Sequence, residues 1–113
     1  MREYRFDHPP QVAPGRVVFT VRNAGGLRHE LVLLALPEDF PPIDQQLHSD
    51  ERRAVDTLAA LHDRDPGTRD TFAADLAPGR YAFVCFIRDP DGVAHALKGM
   101  NSELRVVGPS GGR

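Results

Sequence analysis

The sequence predicts an all-β, Greek-key sandwich carrying a short helical insertion between strands. Three observations carry that expectation. Apolar residues alternate with polar ones in several short runs, and the ten glycines and ten prolines are spread so that they punctuate those runs. The longest apolar run, Leu31 to Leu36, has six residues, against the roughly 20 of a membrane-spanning helix. A chain of 113 residues buries about two-thirds of its unfolded surface. That is enough for one core, so residues 1–107 read as a single domain and 108–113, rich in glycine, as a flexible tail.

Taken in order, Tyr4-Arg5-Phe6 alternates and is expected as a short edge strand stopped by Pro9-Pro10. After the turn signal Ala13-Pro14-Gly15, Val17, Phe19 and Val21 alternate with Arg16, Thr20 and Arg22, and Asn23-Ala24-Gly25-Gly26 ends that strand in turn chemistry. His29 to Leu36 is a mostly apolar strand closed by Pro37. The insertion covers about 43–64: Ser49-Asp50 offers an N-cap, and Ala54, Val55, Leu58 and Leu61 fall at helical spacing over about three turns. Arg69 to Ala73 is expected as a strand. Arg80 to Ile87 is another, with Tyr81, Phe83, Cys85 and Ile87 on one face and Ala82, Val84 and Phe86 on the other. Ser102 to Val107 closes the pattern. Tyr81, just after Pro78-Gly79, is placed to anchor a Greek-key corner through its hydroxyl.

Charge excludes several functions. Fourteen basic and 16 acidic residues are interspersed, for a net charge of −2, which argues against nucleic acid or an anionic membrane surface as partner. Asp63, Asp65 and Asp70 do not have the spacing of a calcium loop and read as a solvated acidic turn. His8, His48 and His62 lack matching partners and read as surface residues. The single cysteine, Cys85, rules out an intrachain disulfide and leaves a thiol that is buried, reactive or metal-bound.

Cys85 is followed after nine residues by His95, and after four more by Met100; His29 opens a strand far upstream. A thiolate, two imidazoles and a thioether form a soft donor set suited to copper, and two histidines with one cysteine and a weak axial methionine is the blue-copper arrangement. Singly, each residue has a plainer role: Cys85 as core filler, Met100 as packing, His29 as a strand end, His95 as a loop cap. Their joint order sets them apart.

At these residues the sequence resembles the cupredoxin family, the plastocyanin- and azurin-like copper proteins. Val12-Ala13-Pro14-Gly15, then Val17, Phe19, Val21, Asn23 and Gly25, then His29, is similar to the first half of the family pattern. Pro78-Gly79-Arg80-Tyr81, Phe83, Cys85, His95 and Gly99-Met100 is similar to the second. The resemblance implies one copper per chain held by His29, Cys85, His95 and Met100, one-electron transfer rather than enzymatic turnover, a transient redox protein partner, a monomer, and an extracytoplasmic home. No apolar leader follows Met1. Two departures stand out. The nine residues between Cys85 and His95, holding the turn Asp89-Pro90-Asp91-Gly92, exceed the few usual in the family, and Glu30 stands where the family has asparagine. The competing functions are a copper carrier or sensor, a metal-free binding module, and an enzyme with Cys85 as nucleophile.

Overall fold

The computed structural model describes residues 1–108; the glycine-rich tail expected from 108 onward falls, beyond Gly108, outside the described residues. The elements are β1 (Gln11–Val12), β2 (Gly15–Arg22), β3 (His29–Leu36), α1 (Ile43–Leu47), β4 (Asp56–Arg64), β5 (Arg69–Leu76), β6 (Gly79–Val84), a one-turn 3-10 helix (His95–Lys98) and β7 (Asn101–Val106). They form a five-stranded sheet in the order β1-β7-β6-β3-β4 and a two-stranded sheet pairing β2 with β5. All pairs are antiparallel except β1 with β7.

β3 lies inside the larger sheet, paired to β4 on one side and β6 on the other. Both of its faces are covered, so it reads as one continuous apolar run rather than an alternation. Leu31 and Leu33 pack with Val21, Leu76, Tyr81, Phe83, Leu104 and Val106 against the small sheet, where Phe19 and Phe72 stack. Val32, Leu34 and Leu36 pack with Ala82 and Val84 on the opposite face, beneath Phe40, Ile43, Leu47 and Ala96. The architecture is thus a β-sandwich with a thin helical cover on its outer face. The Tyr81 hydroxyl donates to the Ala77 carbonyl at 2.7 Å, closing the corner before β6.

Two expectations are corrected. The helical insertion shrinks to α1, and the segment expected as its main part is β4, so Leu58 and His62 lie on a strand. Helical spacing was present there, but β3 has a full row of backbone donors and acceptors on that side, and pairing with β4 satisfies them. Ala59 and Leu61 then turn to the core while Leu58 stays 45% exposed. Tyr4 to Phe6 is not an edge strand: Arg2 and Arg5 form a single bridge around a turn, with Tyr4 at φ 60°. Its side chains have partners elsewhere, described next.

Candidate metal centre

His29 begins β3, where the sheet meets the loop from β2. Asn23 organises that loop: its amide donates to the Leu27 and Arg64 carbonyls and its side-chain oxygen accepts from the Gly25 N–H. The strand expected to run to Ile87 ends at Val84, so Cys85 follows directly on β6 instead of lying within it. Antiparallel neighbours bring the two together, and the Glu30 N–H points at Cys85 Sγ at 3.4 Å.

The nine-residue loop folds as a hairpin. Arg88 bridges Ala94, the Asp89 N–H donates to the Val93 carbonyl, and the Gly92 N–H donates to the Asp89 carbonyl. Gly92, at φ 81°, takes the left-handed position such a turn requires. The long loop therefore doubles back, and the His95 N–H donates to the Ile87 carbonyl at 2.7 Å. From there the Met100 N–H reaches the His95 carbonyl and the Cys85 N–H reaches the Met100 carbonyl, which ties three of the expected ligands through their backbones.

The outcome is one buried cluster. His29 and Cys85 are 0% exposed, His95 1% and Met100 0%. One donor atom each from His29, Cys85 and His95 lies within 4.8 Å of the others. His95 Nδ1 is 3.3 Å from His29 Nδ1 and 3.6 Å from Cys85 Sγ.

The outer nitrogens of both rings face carboxylates. His29 Nε2 sits 3.1 Å from Glu3 Oε1, and His95 Nε2 sits 2.8 Å from Asp89 Oδ1. An ionised carboxylate only accepts, so each Nε2 carries the proton and donates it. Both carboxyls are held below the usual range: Glu3 chiefly by the Leu27 N–H, Asp89 by Lys98 first, then by the Tyr4 hydroxyl and His95. Burial holds His29 below the ordinary histidine value. In a neutral ring protonated at Nε2, Nδ1 is a bare lone pair. The two Nδ1 atoms face one another across 3.3 Å, with Cys85 Sγ 3.6 Å from that of His95, so that a cation placed among them would be held by all three. These donor types are those a soft first-row metal selects.

Glu30 is turned inward. Its Oε1 accepts from the Phe86 N–H at 3.0 Å and its Oε2 meets His62 Nδ1 at 3.0 Å, so the carboxylate pins the residue after Cys85. Burial pushes the Cys85 thiol up, against the pull of the Glu30 and Ile87 N–H groups. Of the residues read as surface histidines, His48 and His62 are exposed, and His62 is spoken for by Glu30; His8 corrects that reading, being half-buried, edge-on to Phe83 and 2.7 Å from Ser102 Oγ through Nε2. Asp63 and Asp65 pair with Arg28, and Asp70 with Arg64.

Sequence reasoning did not single out Glu3, Tyr4, Asp89 or Lys98 as parts of this site. Asp89 was legible only as a turn residue; its reach to His95 follows from the hairpin. Glu3 lies 26 positions from His29, and only one feature hints at it: Gly25, where a Cβ would come within 2.1 Å of Glu3 Oε1. The edge of His95 is also not open to solvent, because Asp89 and Tyr4, edge-on at 5.3 Å, cover it.

No family model and no curated protein matches the chain. Solved structures do. Sodium-dithionite-reduced auracyanin from the photosynthetic bacterium Roseiflexus castenholzii is 24% identical with a TM-score of 0.58, over 86% of this chain and 82% of that one. Reduced rusticyanin is 18% identical with a TM-score of 0.52, over 86% of this chain and 61% of its own. A structure of rusticyanin variants is 20% identical with a TM-score of 0.50. The chain spans about three-fifths of rusticyanin's length. These neighbours are cupredoxins, and the likeness establishes the fold as cupredoxin-like.

Proposed function

We propose that this cupredoxin-like chain is a mononuclear type 1 copper protein that transfers single electrons, with His29, Cys85 and His95 as principal ligands and Met100 as the weak axial one. The observation that carries the reading is the facing pair of Nδ1 atoms, 3.3 Å apart beside Cys85, with both outer nitrogens already turned to carboxylates. Copper would supply a one-electron couple; the protein supplies a donor set whose ring orientations are fixed before any metal arrives.

Burial of all four residues favours transfer over the alternatives. A carrier or sensor needs ligands that open readily to release its cargo, whereas these are covered by Glu3, Tyr4 and Asp89. An enzyme with Cys85 as nucleophile needs access to a thiol that is 0% exposed. A transient redox partner would meet the groove formed by Phe86, Val93, Ala94 and Leu97, next to Cys85 in sequence and bordered by Arg52 and Arg88, a surface suited to an acidic partner. The protein would act as a monomer outside the cytoplasm.

Titration of the apo-protein with Cu(II) should give one copper per chain and an intense visible thiolate-to-copper band. Cys85→Ser should abolish the band and His62→Ala should retain it, since His62 is 73% exposed on β4 and, among the described residues, pairs with Glu30. A coloured Cys85→Ser protein would refute the assignment.

A further inference from the structure

The hairpin between Cys85 and His95 carries a carboxylate that the turn itself does not need. Asp89 contributes its backbone to the turn, while its side chain, only 13% exposed, points away from solvent. Oδ1 accepts from His95 Nε2 at 2.8 Å; Oδ2 accepts from the Tyr4 hydroxyl and from Lys98 Nζ, each at 2.6 Å. Lys98 also reaches Asp91 at 2.8 Å and lies over the Tyr4 ring. Every polar atom of this group has a partner, and the group closes on one ring nitrogen of His95.

We infer that Asp89 is the positioning residue of His95: it fixes the ring as the Nε2–H tautomer, aims Nδ1 at Cys85, and places a negative charge behind the imidazole that Lys98 partly offsets. A carboxylate behind a metal-binding histidine raises the basicity of the ligand nitrogen and fixes its tautomer. A negative charge near the site favours the more highly charged oxidation state, so Asp89 would lower the reduction potential and Lys98 would raise it. The rival role is closure of the hairpin alone, through backbone bonds that any turn residue provides. This inference deepens the copper reading and rests on it for the potential, but not for the tautomer.

Two measurements test it. Nitrogen-15 NMR of the histidine rings in the apo-protein at mildly alkaline pH should show His95 protonated at Nε2, unchanged in Asp89→Asn, whose amide oxygen still accepts, and mixed in Asp89→Ala. In the copper-loaded protein, voltammetry should show Asp89→Asn raised and Lys98→Met lowered. Each should change the Cu(I)-to-Cu(II) affinity ratio several-fold, where tenfold is about 59 mV for one electron. Opposite signs from two neighbours in one hydrogen-bonded group cannot come from loss of structure, and Lys98→Met keeps the test alive if the Asp89 variants fold poorly. His95 protonated at Nδ1 in the wild-type apo-protein, or potentials unmoved in both variants, would overturn the inference. A protein with the expected tautomer that takes up no copper would instead overturn the copper reading alone.

Discussion

One half of the cluster stands on the sheet and the other on a loop, and the two are held by different means. His29 opens β3 and Cys85 directly follows β6, neighbouring strands within a five-stranded sheet that has a core cluster on each face. His95 opens a four-residue 3-10 helix that follows a hairpin closed by a single bridge, and Met100 lies between that helix and β7. All four residues are equally buried. Burial alone therefore does not separate them; the number of independent restraints does. The sheet half is fixed by the ladders that pair β3 with β4 and β6, and β6 with β7. The loop half depends on a few bonds, from His95 to Ile87, Met100 to His95 and Cys85 to Met100, and on the Asp89 group.

The largest effect should come from cutting the sheet half at its centre. Leu33 is 0% exposed in the cluster beneath the small sheet. Leu33→Ala should cost about 2–5 kcal/mol, the transfer loss plus the cavity left behind. Chemical denaturation should show this as an earlier midpoint with an unchanged slope, and both halves of the site should be lost in one transition. A cost under about 1 kcal/mol would place the structural weight elsewhere.

Cutting the loop half should cost less and stay local. A Cβ on Gly92 would meet no atom within 4 Å, so Gly92→Ala acts only through its φ of 81°. Forcing an L-residue into that region costs roughly 1–2 kcal/mol. Hydrogen exchange should quicken for amides from 86 to 100 and stay unchanged in β3 and β6. Equal acceleration in both regions would mean that loop and sheet open together and would erase the distinction between them.

The same division decides what was legible in the sequence. The strands β2, β3, β5, β6 and β7 were readable because alternation and continuous burial are local patterns, and His29 and Cys85 came with them. His95 and Met100 were singled out by residue type and order, not by any pattern of secondary structure. The segment 56–64 was misread as helix because its apolar spacing suits both forms, and the deciding factor, the unpaired side of β3, lies elsewhere in the chain. Glu3 and Asp89 escaped for a related reason. A carboxylate that bonds a distant imidazole has no periodicity, and its place is set by the β2–β3 loop and by a hairpin whose backbone geometry precedes any contact.

The smallest change in stability should come from Met100, and it is the one that best tests whether the loop half is more than packing. Met100 is 0% exposed, and its backbone bonds both His95 and Cys85, so burial is expected of it in a core role and in an axial role alike. Stability cannot distinguish them, because Met100→Leu nearly conserves volume and should cost under about 1.5 kcal/mol in either case. The potential can. A weak axial thioether tunes the balance between oxidation states. Removing it in Met100→Leu takes a donor from Cu(II), which benefits most from one, and should raise the potential. Met100→Gln offers a harder oxygen and should lower it, while losing more stability through the buried amide. Voltammetry beside thermal melts separates the roles. Two potentials moving in opposite directions make Met100 a ligand, whereas two melts shifting under a constant potential make it core and leave His29, Cys85 and His95 to hold the metal alone.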